Sequence, residues 1–272
     1  MIKLSDRLQM IADEINKGET VADIGTDHGL LPIFLYESGR SPRVILGDIN
    51  KGPLEKAREN IAMHFGADAL DPSGNHACGG ALSLRLGSGL EPVGFGETDA
   101  VVIAGMGGIL MTEILGLDLN HTKSFKKLIL QPRNGSHKLR WWLDQNGFTI
   151  TAEHLVVERK YICEILTVEP DRGSVAGDER ECAVAEEKAI PLPEEIFDEA
   201  LDLEISPLLY TLKDPLLIPF IKNKIRIEKN VVGFVAEGSG EGEEHERIAA
   251  AKQRLAALNR KLEQAEAVMK EE

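Results

Sequence analysis

Between positions 23 and 29, Asp23, Gly25, Thr26, Asp27, His28 and Gly29 put two acids, a hydroxyl, an imidazole and two glycines into one short stretch. It follows the apolar run Val21-Ala22 and precedes a second apolar run, Leu30 to Tyr36. That order predicts a strand, a tight turn and a helix, with glycine wherever the backbone must bend sharply or lie against a ligand. Asp48 stands 25 positions after Asp23, at the end of Val44-Ile45-Leu46-Gly47. A carboxylate there can accept hydrogen bonds from both hydroxyls of a bound ribose.

Glycine-rich ends recur. Asp99 to Ala104 is a continuous apolar strand that runs into Gly105-Met106-Gly107-Gly108, and Ala81 to Leu86 ends at Gly87-Ser88-Gly89. Lys127 to Gln131 is closed by Pro132-Arg133-Asn134-Gly135. Two cofactor classes compete for such a crevice. A dinucleotide needs backbone close to its pyrophosphate, normally through G-x-G-x-x-G, but Asp27 fills the place of the second glycine and its charge repels phosphate. S-adenosylmethionine has no phosphate and carries a sulfonium and an ammonium group, so these acids favour it.

The elements that must position these residues follow from periodicity. Leu4, Leu8, Ile11 and Ile15 mark an amphipathic opening helix with Ser5 or Asp6 as cap, and Arg7 lies off its apolar stripe. Arg7 is either a solvated charge or a group facing the ligand loop. Pro53 suits the first turn of a helix running to about Met63, and residues 66–80 read as a surface loop. A helix holds Trp141 and Trp142; then Phe148 to Val157 and Tyr161 to Val168, joined at Glu158-Arg159-Lys160, read as an antiparallel pair. The expected fold is therefore α/β: a doubly wound, mostly parallel, seven-stranded Rossmann-like sheet with an antiparallel edge.

Domain organisation follows composition. Residues 1–168 form the ligand-binding domain, 169–195 an acidic linker rich in Gly and Pro, and 196–272 a helical domain. There Ile218, Ile221, Ile225, Val232 and Val235, then Ile248 to Met269, keep a 3-4 spacing on either side of Gly238 to Gly242, as in an antiparallel coiled-coil hairpin. The net charge of −14 divides as −4 over residues 1–168 and −10 over 169–272. Cys78, Cys163 and Cys182 are too scattered for a disulfide framework or a zinc site, so free thiols and no metal are expected. Without a leader-like segment or an apolar run of about 18 residues, no membrane association and a cytoplasmic location are expected.

Together, L-S-D-R-L-Q-M-I-A (Leu4 to Ala12), D-I-G-T-D-H-G-L-L-P (Asp23 to Pro32), D-I-N-K-G-P-L (Asp48 to Leu54), A-G-M-G-G (Ala104 to Gly108) and L-I-L-Q-P (Leu128 to Pro132) resemble the bacterial tRNA (adenine-22-N1)-methyltransferase family. The resemblance implies S-adenosylmethionine as cofactor. Its methionine part would lie on Asp23, Gly25, Thr26, His28 and Gly29, its ribose on Asp48, Ile49 and Asn50, and its adenine edge on Gly87, Ser88 and Gly89. Ala104, Gly105 and Met106 would border donor and acceptor base, with Gly107, Gly108, Gln131, Pro132 and Arg133 on the substrate side. The family usually has G-D-G-L where this chain has Gly87-Ser88-Gly89-Leu90, and Ser88 is a weaker acceptor than a carboxylate.

Adenine N1 has a free lone pair, so alignment matters more than a base. The product is cationic; Asp27 is the candidate to stabilise it, with Arg7 as second catalytic candidate, unless Asp27 merely caps the turn. His28 is as readily a structural loop histidine as a substrate contact. Partner tRNA requires cationic surface. Lys123, Lys126, Lys127, Arg133, Lys138 and Arg140 lie in an acid-free stretch from Leu119 to Leu143, and Arg247, Lys252, Arg254, Arg260 and Lys261 in another. Each is either RNA contact or solvated helix face. A monomer is favoured over an oligomer. The competing readings are a methyltransferase of another RNA or small molecule, and a non-catalytic binding or scaffold protein.

Overall fold

A computed structural model describes residues 2–70, 72–171, 190, 201–236 and 243–270 of the chain. Contacts divide it into two compact units, Met1–Leu192 and Pro193–Glu272. In the first unit the order is α1 (Asp6–Asp13), β1 (Val21–Ile24), α2 (Leu30–Glu37), β2 (Val44–Asp48), α3 (Lys51–Phe65), β3 (His76–Ala77), β4 (Leu82–Leu86) and β5 (Ala100–Met106). It continues with α4 (Gly108–Gly116), α5 (Leu119–Lys123), β6 (Lys127–Pro132), α6 (Ser136–Gln145), β7 (Phe148–Glu158) and β8 (Tyr161–Pro170).

The strands form one sheet in the order β3-β4-β2-β1-β5-β6-β8-β7. β4, β2, β1, β5 and β6 run parallel, with β8 antiparallel to β6 and β7 antiparallel to β8. The sheet thus has eight strands rather than seven. The extra one, β3, is a two-residue antiparallel edge on β4, formed inside the loop expected over residues 66–80. Two residues are too few for alternation to register in the sequence.

β1 is buried along its whole length because both faces are covered. One face packs Ile11, Ile33, Leu35 and Ile61, from α1, α2 and α3, and Ile15 just beyond α1, against Val21, Val44, Val102 and Ile129. The other packs Met111, Leu115, Leu139 and Trp142, from α4 and α6, against Ala22, Ile45, Val101, Ile103 and Leu128. Chain order reverses between β1 and β5, and a crevice opens at the carboxyl ends of strands at such a switch point.

The second unit holds α7 (Leu201–Glu204), α8 (Pro207–Thr211), α9 (Leu217–Ala236) and α10 (Glu243–Val268). Ion pairs Lys222–Glu266 and Glu228–Arg254 show α9 and α10 to be antiparallel neighbours. Ala251, Leu258 and Ala265 of α10 and Ile221 and Ile225 of α9 are buried as their spacing predicts, whereas Leu217 is buried in place of Ile218 and Leu255, Leu262 and Met269 are half-buried. The expected linker beyond Asp171 (apart from Ile190), Cys182, the helix break at Gly238 to Gly242, and the side chains of Val232, Val235 and Arg247 lie outside the described residues.

Candidate active site

The expected donor side lies at the ends of β1, β2 and β4. Beyond Ile24 the backbone turns at Gly25, with φ +78°, and the amides of Gly25 and Thr26 donate to the Gly47 carbonyl at 2.8 and 3.3 Å. A Cβ on Gly25 would reach 2.3 Å from Met106 Cε, so this loop and the end of β5 meet across the crevice. Asp23 is buried, at 8% exposure. Burial pushes its carboxyl up to about 6, with Asp48 adding to the rise; the nearby Thr26 hydroxyl and Arg7 pull it down. Thr26 Oγ1 is itself buried and lacks a well-formed hydrogen bond.

Asp27 and His28 stand at the mouth, their side chains 72% and 47% exposed and 3.2 Å apart. The His28 carbonyl accepts from Asn60 Nδ2 at 2.8 Å, which ties the loop to α3. Asp48 is half-buried and its Oδ1 accepts from the Asn50 amide at 2.7 Å, while its carbonyl accepts from the Gly87 amide at 3.0 Å. Ile49 and Leu86 are exposed beside it, apolar surface for the two sides of a flat base. The Ser88 amide donates to Glu91 Oε2 at 2.9 Å, so an acid does stand near the adenine-edge position, held by the backbone.

On the expected acceptor side, pairing of β5 with β6 steps from Ala104–Gln131 to Met106–Pro132, leaving Gly105 as a bulge with φ +77°. The freed Gly105 amide donates to Gln131 Oε1 at 3.2 Å. The same oxygen accepts from Arg7 Nη1 at 3.0 Å, and Arg7 Nε lies 3.8 Å from Glu158 Oε1. Arg7 is therefore turned to the crevice edge of the sheet rather than to solvent. Gly107 and Gly108 are joined to the next loop: the Gly108 amide donates to the Asn134 carbonyl at 2.8 Å and the Arg133 amide to the Met106 carbonyl at 2.7 Å. A Cβ on Gly108 would lie 2.4 Å from the Gly135 carbonyl oxygen, so only glycine fits.

One expected RNA contact is corrected. Arg140 is 4% exposed and ion-paired with Glu153 and Glu164 beneath α6, so it cannot reach a phosphate. The acid-free stretch is also not one surface. Lys127 is buried at the amino end of β6, donating to the Glu14 carbonyl and paired with Glu19, and Lys126 pairs with Asp99. Arg133 sits at the opposite end of that strand, about 20 Å away at about 3.3 Å per residue. Of that stretch, Arg133 and Lys138 lie on the crevice side. Sequence reasoning did not find Glu158, Asn60 or Asn134 as site residues; of these, Asn134 and Glu158 were visible only as parts of turns, Asn134-Gly135 and Glu158-Arg159-Lys160.

The residues at these strand ends suit a cationic, phosphate-free nucleoside donor: Asp23, Asp27 and Asp48 lie at or just beyond the carboxyl ends of β1 and β2, one of them buried, and no lysine or arginine lies in the Asp23 to Gly29 loop. Fold and site together define a Rossmann-like methyltransferase. Residues 4–166 match the methyltransferase domain family. The Bacillus subtilis tRNA (adenine(22)-N(1))-methyltransferase is 33% identical over 177 residues, 65% of this chain and 69% of that protein. The solved structure of B. subtilis M1A22 tRNA methyltransferase TrmK superposes with TM-score 0.69 at 26% identity, covering 99% of this chain and 100% of that one. That of M. capricolum TrmK with S-adenosyl-homocysteine shares the fold, with TM-score 0.69 at 23% identity over 96% and 99% of the two chains. The chain belongs to the family of bacterial tRNA (adenine-22-N1)-methyltransferases.

Proposed function

We propose that this protein transfers a methyl group from S-adenosylmethionine to N1 of adenine 22 in tRNA. The observation that carries this reading is its identity to the B. subtilis enzyme across the domain that holds the site. The donor supplies an electrophilic methyl on a sulfonium, which needs only an aligned lone pair. In support, Asp23 and Asp48 would take its ammonium and ribose, and Ile49 and Leu86 would flank its adenine.

For the acceptor, Leu30, Ile109 and Leu110 are exposed at the first turns of α2 and α4, directly after the two glycine loops. They offer apolar surface to a base turned out of its stack. Asp27 stands at the same mouth, open enough to accept from the N6 amino group and to stabilise the cation as it forms. Gln131 and Arg7 act one step back, holding Gly105 in its bulge. No described helix is long and apolar enough to cross a membrane. We take the working form to be a monomer in the cytoplasm.

Unmodified tRNA incubated with the protein and labelled donor should acquire label at adenine N1 of position 22. Label at another position would shift the substrate assignment, and none on any tRNA would refute it.

A further inference from the structure

The β7–β8 hairpin outruns the sheet it belongs to. β8 pairs with β6 only as far as Leu130–Leu166, whereas β7 and β8 stay paired to Glu158–Tyr161. β6 ends two residues on, at Pro132, so roughly the last 10 Å of hairpin stand beyond the carboxyl edge of the sheet, on the crevice side. The Arg7–Glu158 contact holds the hairpin close to its tip, Glu158 being the last paired residue of β7. Cys163 lies on the same overhang, where burial raises its thiol pKa, Arg7 and Arg133 pull it down, and Glu158 and Glu164 push it up.

The tip is Arg159-Lys160-Tyr161, with Arg159 in the left-handed region at φ +57° where glycine would be the easy choice. All three are exposed, Tyr161 at 61%, and Lys160 Nζ lies 5.3 Å from the centre of the Tyr161 ring. Arg133, Arg159 and Lys160 make no ion pair among the described residues. Three uncompensated cations and an open aromatic face at the mouth of a site in a chain of net charge −14 match one kind of partner, a polyanion with exposed bases.

We infer that the overhanging β7–β8 tip is an RNA-gripping arm, with Tyr161 stacking on an unpaired base next to the target and Arg159, Lys160 and Arg133 holding its phosphates. This rests on the tRNA reading above and adds the surface that grips. Arg159→Gly relaxes the turn while removing charge, so any loss it causes is not a folding defect; Lys160→Gln and Tyr161→Ala test the other two.

Direct binding of unmodified tRNA, followed against salt, should weaken about fivefold or more in R159G and K160Q. Its log–log salt slope should become shallower by nearly one per cation removed. Y161A should weaken binding about tenfold while Tyr161→Phe restores it. Donor affinity by calorimetry should stay unchanged in all four. Wild-type tRNA affinity and slope in R159G, K160Q and Y161A would overturn the arm. Wild-type tRNA binding without methylation would instead overturn the proposed reaction and leave the arm supported by the binding data.

Discussion

If Asp23 takes the donor ammonium as proposed, it couples donor binding to proton binding. Its native pKa of about 6 lies above the ordinary 3.8, so the folded state holds this proton more tightly than the unfolded chain does. The resulting stabilisation is present below about pH 4 and lost as pH rises through 6, where the ionised form costs about 3 kcal/mol. Asp23→Asn should accordingly raise Tm at pH 8 and leave it nearly unchanged at pH 4, while weakening donor affinity at least tenfold. A cationic donor favours the ionised carboxylate, so binding at pH 6 should release about half a proton, measurable by calorimetry in two buffers of different ionisation enthalpy. At the mouth, Asp27→Ala should keep donor affinity within a few-fold and lower turnover by about tenfold or more; equal losses would contradict its assignment to the acceptor. Asp23 and Asp48 were legible because each ends an apolar run. Arg7 was left open between two readings because its partners lie 124 and 151 positions away.

The loops after β5 and β6 behave as one element, since backbone hydrogen bonds join Gly108 to Asn134 and Met106 to Arg133. Gly108→Ala would force its new methyl into the Gly135 carbonyl, at a cost of about 1–3 kcal/mol. At roughly 2–4 °C per kcal/mol, Tm should fall by several degrees, and activity should fall further because both loops move. Gln131→Leu removes the one side-chain oxygen shared by Arg7 and Gly105; turnover should drop more than donor affinity, and equal effects would argue against its bracing role. The two-residue β3 and the five-residue α5 were too short to register, whereas β2 and β6 were readable from apolar period almost to the residue. Pairing between elements was not: the sequence spacing of Arg140 carried no sign that Glu153 and Glu164 would close over it, because burial of a charge is decided by strands laid down later.

At the scale of the molecule, each unit has its own buried residues, and both core clusters lie wholly within residues 1–192. Residues 1–192 expressed alone should bind donor as the full chain does. Their tRNA affinity should be lower, because Lys252 and Arg260 lie exposed on α10 of the second unit. Full tRNA affinity in the shorter protein would show those cations to be solvated face only. The Arg7–Gln131–Gly105 contact also sets an order of events. Arg7 leaves the ribosome more than a hundred residues before Gln131 and Glu158, and the central β1 must wait for β5 to pair on its far side. A site closed by such distant sequence partners completes late and slowly. Protection of the Gly105 amide during refolding should therefore appear among the last in the first unit, which makes it a clock for the moment the protein becomes an enzyme.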